Sequence, residues 1–118
     1  MNIPSLTYRD LPAAMDELRD VYGLEIDWHD EELAEIRWRG GVALAQVDQP
    51  ELVHGPKAGH AWMYVQVDDP DAHYTRALAK GARVLDEPHT TSDGLQRGYR
   101  ALDREGNLWN FVLYRFDL

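Results

Sequence analysis

A chain of 118 residues with 44% hydrophobic residues suits one compact domain or two small repeated modules, and it has no apolar run near the roughly 20 residues that a membrane span needs. A net charge of −9, from 21 acidic and 12 basic residues, repels a nucleic acid backbone, so neither nucleic acid nor membrane is an expected partner; the same charge attracts small cations, or simply serves solubility. Cysteine is absent, which excludes disulfides and thiolate metal ligation, and the N-terminus shows no basic-then-apolar leader, so a cytoplasmic protein is expected.

Residues 3–9 alternate weakly and predict a short strand. Asp10 can cap a helix and Pro12 fits its first turn, where a missing N–H does no harm. Ala14, Met15, Leu18, Val21 and Tyr22 then recur at helical spacing until Gly23 stops the run. Residues 24–28 alternate with period two, residues 29–32 read as a turn, and residues 33–39 and 42–47 form a hairpin around Gly40-Gly41. Residues 48–59, with Pro50, Gly55, Pro56 and Gly59, read as a linker. Residues 60–67 predict another strand, and residues 71–80 a helix capped by the Asp68-Asp69-Pro70 signal and stopped by Gly81. A strand over 82–85, a loop over 87–94, and a last hairpin from strands 96–102 and 108–114 complete the chain.

The pattern is strand, helix, three strands, twice over. Asp10, Pro12, Ala14 and Gly23 are matched at one fixed offset by Asp68, Pro70, Ala72 and Gly81, on the helix start and stop signals. The expected fold class is α+β: two βαβββ modules, residues 1–47 and 60–118, forming curved mixed sheets around a cup. Neither half alone would bury much core.

Three stretches carry a family likeness: PSLTYRDLPAAMDELRDVYGLEIDW in the first half, VQVDDPDAHYTRALAKGARVLDEP in the second, and the closing YRALDREGNLWNF with its DREGN turn. With these, the chain resembles the vicinal oxygen chelate superfamily, which includes glyoxalase I, extradiol dioxygenases, fosfomycin-resistance enzymes and bleomycin-resistance proteins. The resemblance covers nearly the whole chain. It implies the glyoxalase/bleomycin-resistance fold and a homodimer, in which the linker would permit a swap of modules between chains. It also implies four equivalent points for metal ligands, which map here onto Ile3, Ala45, Trp62 and Asn110. None is His, Glu, Asp or Cys, and Asn110 offers only a neutral amide oxygen, a poor ligand for a divalent transition metal. The cup is therefore expected without metal or other cofactor.

His60, Trp62, Tyr64 and Gln66 share one face of their predicted strand, against an apolar Ala61, Met63, Val65 and Val67. His60 reads either as a rim residue or as a partly exposed histidine at a strand start. Histidines 54, 73 and 89 show no metal-ligand spacing. Asn110 is the one polar residue within the apolar run of the last strand, and it hydrogen-bonds either a ligand or a neighbouring strand. Four Trp and six Tyr exceed what packing asks of so small a chain. Trp62, Tyr64 and Tyr114 are expected to face the cup, with Trp28 or Trp38 as additions, whereas Trp109 and Phe111 read as core. Arg97 and Arg100 lie on opposite faces, so one of them, taken as Arg100, reaches the cup.

The expected ligand-binding set is Trp62, Tyr64, Asn110, Tyr114, His60, Trp38 and Arg100, with no catalytic and no metal-binding residue. Aromatic walls suit planar ligands by stacking and cations through the ring quadrupole. The expected function is sequestration of an aromatic drug or natural product, cationic ones included, as in the bleomycin-resistance branch that the resemblance points to. Two alternatives stay open: a metal-dependent lyase, isomerase or dioxygenase with a shifted ligand set including His60, and a metal-free enzyme with a general base.

Overall fold

The cap residues signalled in the sequence organise both helices of the computed structural model, which describes residues 2–49, 51 and 57–114. Asp10 accepts a hydrogen bond from the Ala13 amide (3.2 Å) and opens α1 (Leu11–Asp20); Asp69 accepts from the Ala72 amide (3.1 Å) and opens α2 (Pro70–Ala79). The second cap is Asp69 and not Asp68, which lies exposed beside Arg39, so the repeat slips by one residue between helix start and helix stop. Gly23 and Gly81 follow the helices with φ of 72° and 89°, values that favour glycine.

The first sheet contains β1 (Ser5–Tyr8), β2 (Glu25–Asp30), β3 (Leu33–Trp38) and β4 (Gly41–Val47) in the order β1-β4-β3-β2. The second contains β5 (Trp62–Gln66), β6 (Arg83–Val84), β7 (His89–Thr90), β8 (Gln96–Leu102) and β9 (Leu108–Tyr114), in the order β5-β9-β8-β6 with β7 also on β8. In each sheet the first strand runs parallel to the last, and the other pairs are antiparallel. The fold is α+β with two mixed sheets and no closed barrel among the described residues. Most of the predicted linker, with His54, lies outside those residues.

The two sheets share one core. Leu6, Tyr8, Ala34, Ile36, Ala43 and Ala45 of the first join Met63, Val65, Tyr99, Trp109 and Phe111 of the second, with Leu11, Ala14, Met15 and Leu18 of α1. Polar groups pin α1 to the β8–β9 turn. The Glu105 carboxylate accepts from the Arg9 and Asp10 amides (2.6 and 2.8 Å), the Arg104 amide donates to Glu17 (2.7 Å), and the Tyr22 hydroxyl donates to the Leu102 carbonyl (2.8 Å).

Buried His73 ties α2 to the end of α1. Its Nε2 lies 2.9 Å from the Tyr22 carbonyl, which can only accept, so Nε2 carries the proton; Nδ1 then accepts from the Tyr99 hydroxyl at 2.6 Å. Burial pushes its pKa below the ordinary histidine value, against the smaller opposing effect of the Tyr22 carbonyl. A depressed folded pKa means that the unfolded chain binds the proton first. Unfolding free energy should therefore fall as pH drops from 7 through the unfolded histidine value of about 6.5 towards 5.5. Urea titrations across that range should show the slope, and His73→Gln, which keeps a donor for Tyr22, should flatten it. An unchanged slope in the variant would reject this assignment.

Candidate functional site

Each sheet turns one face to the shared core and leaves the other free. On the second sheet, strand register arranges the free face in rows across β5, β9 and β8. One row is Trp62, Leu108 and Leu102; the next is Tyr64, Asn110 and Arg100; a third is Gln66, Val112 and Gly98, extended by His89 on β7. The sequence alternation thus places Trp62, Tyr64, Asn110 and Arg100 on one face, with Tyr114 further along the same side of β9. Trp62 is 71% exposed and Tyr64 52%, an arrangement of large rings that packing within the chain does not explain. Trp109 and Phe111 point the other way and are fully buried. Burial pushes the Tyr114 phenol above its ordinary value, and the Tyr64 phenol adds to the shift.

A depression of about 150 Å³ opens on this face, lined by Asp86, His89, Gln96, Gly98, Asn110 and Val112 among others. Gly98 is among its lining residues and is required by the close approach of β9: a Cβ there would collide with the Phe111 carbonyl and with the Val112 side chain. Beside the depression the sheet edge is broken. Residues 82–85 predict one strand and 87–94 a loop, but β6 and β7 both pair with β8, at Leu102 and Ala101 and at Gly98 and Arg97 respectively. Between them Asp86 takes over the pairing, its Oδ1 accepting from the Arg100 amide (2.6 Å) and its Oδ2 from Arg100 Nε (2.8 Å). No local sequence signal marks Asp86, because its role is set by a partner strand further along the chain.

Asn110 combines the two readings left open for it. Its Nδ2 donates to the Met63 carbonyl across β5 (3.1 Å), and the residue still lines the depression. His60 is exposed and precedes β5. His89 is exposed, with Nδ1 3.0 Å from the Glu87 carbonyl. Trp38 stands apart from the other expected ligand residues. It lies on the core-facing side of β3, partly buried against the core, with its indole over Gly41. Trp28 lies on the outer strand β2 of that same first sheet, 42% exposed. The surplus of aromatics is also smaller than the count implies, since Tyr8, Tyr22, Tyr99 and Trp109 are fully or almost fully buried.

Trp38 contributes instead to a groove of about 580 Å³ between the sheets, with Arg37, Arg39, Asp68, His73 and Arg76. The groove is larger than the depression, and several of its polar groups are already paired. Arg37 pairs with Glu35 (2.6 Å), Arg39 with Asp68 (3.3 Å), and both ring nitrogens of His73 are satisfied. On the free face of the first sheet, Glu35 sits between Arg37 and His29 (2.9 Å), and these hydrogen bonds, that of Arg37 foremost, hold its carboxyl below the usual range.

The four points at which the superfamily places metal ligands can now be located by strand partners. Ser5 pairs with Leu44 as Tyr64 pairs with Asn110, so the first-sheet equivalent of Asn110 is Leu44. Ala45, the position mapped from the sequence, faces the core one residue on and is fully buried. The corrected set of Ile3, Leu44, Trp62 and Asn110 supplies no imidazole, carboxylate or thiolate and does not fit a divalent transition metal. Among the described residues no three His, Asp or Glu side chains are grouped so as to hold a metal ion, and no helix is long and apolar enough to cross a membrane.

Residues 2–111 match the family model of the Glyoxalase/Bleomycin resistance protein/Dioxygenase superfamily. No curated protein matches the sequence. Among solved structures, TioX from Micromonospora sp. ML1 is similar at 24% identity and a TM-score of 0.82, covering 100% of this chain and 98% of that one. The integron cassette protein VCH_CASS1 from the mobile metagenome of V. cholerae is similar at 14% identity and a TM-score of 0.78, covering 98% and 96%. A glyoxalase/bleomycin resistance protein/dioxygenase from Nocardioides is similar at 18% identity and a TM-score of 0.70, covering 98% and 85%. At such identities the likeness is one of fold.

Proposed function

We propose, from the fact that this chain belongs to the Glyoxalase/Bleomycin resistance protein/Dioxygenase superfamily, that it is a small-molecule-binding protein which sequesters a planar aromatic drug or natural product without a metal. The observation that carries the reading is the free face of the second sheet: exposed Trp62 and Tyr64 beside the polar Asn110 and the depression that Asn110 and Gly98 line. Rings that stand in water on a regular sheet supply stacking area without new ordering of the backbone. The donor set at the four superfamily points supports a role without metal, because three of those side chains cannot coordinate and the fourth is an amide. A homodimer, with modules swapped or not, would set the free face of one copy's second sheet against another copy and close the cup over the ligand.

Titration with a panel of planar aromatic drugs should quench tryptophan fluorescence identically with and without chelator. Trp62→Ala should weaken binding about tenfold through lost stacking and burial. Its stability should stay within about 0.5 kcal/mol, as for an exposed side chain. Quenching by none of the panel would count against binding at this face. Stoichiometric zinc, nickel, iron or manganese that His60→Ala abolishes would replace the reading by the metal-dependent one.

A further inference from the structure

We propose that Arg100 anchors an acidic group of the ligand, so that the compounds bound are planar aromatic acids; this rests on the binding face proposed above. The guanidinium is held unlike those of Arg97 and Arg37. Arg97 spends its fork on structure, with Nε and Nη2 on Asp71 (2.9 and 2.7 Å) and Nη1 on Thr90 (3.1 Å). Arg37 closes Nε and Nη2 on Glu35 (2.7 and 2.6 Å). Arg100 gives only Nε to its carboxylate. The other Asp86 oxygen is taken by the Arg100 backbone amide, and neither terminal NH2 of Arg100 has a hydrogen-bond partner among the described residues. Asp86 therefore fixes the plane of the fork while leaving its two outer donors open. This is the geometry that receives a carboxylate end-on, through one N–H···O bond from each terminal NH2.

The break between β6 and β7 is what allows this. A continuous edge strand would satisfy the Arg100 amide from its own backbone and leave no place for Asp86. The row then sets the ligand's shape. Tyr64, Asn110 and Arg100 are opposite one another on three adjacent strands, so Tyr64 lies about two strand spacings, roughly 10 Å, from Arg100. An acid group on Arg100 places a fused aromatic ring over Asn110 and against Tyr64. The overall charge of −9 opposes an anion only as a diffuse field that salt screens, whereas a bidentate pair acts at contact. A cation in this row would meet the guanidinium.

The test uses three probes of one shape, 2-naphthoate, 2-naphthamide and 2-naphthylmethylammonium, each titrated calorimetrically into the full chain. Naphthoate should bind about tenfold to a hundredfold more tightly than the other two, as a charge-assisted pair implies. Arg100→Gln should bring naphthoate down to the level of the amide while weakening the amide, whose carbonyl is an uncharged acceptor, by only about threefold. Asp86→Asn should give a smaller loss for naphthoate alone, because the fork is present but no longer fixed. Amide or ammonium binding as tight as naphthoate, or naphthoate binding indifferent to Arg100→Gln, would overturn the assignment while sparing the binding face. Binding by none of the three would overturn the face and the assignment together.

Discussion

Asp103→Asn should destabilise the protein by about 3–5 kcal/mol, the range for breaking a buried charged network by removing one member. Asp103 is fully buried and both its oxygens are saturated. Oδ2 accepts from the Tyr8 hydroxyl (2.7 Å), Asn107 Nδ2 (3.0 Å) and Trp109 Nε1 (3.0 Å); Oδ1 accepts from the Glu105 and Asn107 amides (both 3.0 Å). Every partner is a donor. An amide in place of the carboxylate must turn its own NH2 towards at least two of them, and each buried donor left unpaired costs about 1–3 kcal/mol. Burial pushes the Tyr8 phenol far above its ordinary value and the Asp103 carboxylate adds to that, so Tyr8 remains a donor. Tyr8→Phe, which removes one donor and leaves the others paired, should cost only about 1 kcal/mol. Denaturant midpoints at constant slope give both numbers. A loss under 1 kcal/mol for Asp103→Asn would mean that the turn is not the joint described here. The DREGN turn that makes the family recognisable is thus a structural joint between the first strand and the last.

The parts of this fold that were legible in the sequence are those governed by neighbours along the chain. Asp10, Pro12, Gly23 and Gly81 marked the helix ends, and the alternation of Trp62, Met63, Tyr64 and Val65 separated free face from core. Asn110 and Phe111 were sorted to opposite faces by the same rule. What stayed hidden depends on pairing across the chain. Nothing near Tyr8 announces that its hydroxyl meets Asp103, and nothing near His73 announces Tyr22. Counting along the chain mapped the metal point to Ala45, and only the register with β1 moves it to Leu44. Arg97 and Arg100 were separable in face but not in role. Their roles follow from Asp71 on α2 and from Asp86 at a broken strand edge, both outside the local pattern.

Phe111→Ala should cost about 3–5 kcal/mol and leave ligand affinity unchanged. Phe111 is fully buried, with its ring centroid 4.3 Å from His73, 5.2 Å from Tyr22, 5.5 Å from Tyr99 and 6.3 Å from Trp109. These rings come from the turn after α1, from α2, and from β8 and β9, so the truncation opens a cavity where the two halves meet and the surroundings cannot collapse onto it cheaply. Phe111→Leu, which keeps most of the volume, should lose markedly less. The residue next to it, Asn110, points to the opposite face, and Arg100 stands across from Asn110. Stability and the proposed binding therefore fall to alternate residues of one strand. Phe111→Ala, assayed well below its denaturation midpoint, should bind 2-naphthoate as the parent chain does. Arg100→Gln should show the reverse, with reduced naphthoate affinity and a stability within about 1 kcal/mol, because only an exposed ion pair is lost. A drop in affinity for Phe111→Ala as large as that for Arg100→Gln would show that the two faces are coupled through the sheet and that the separation fails.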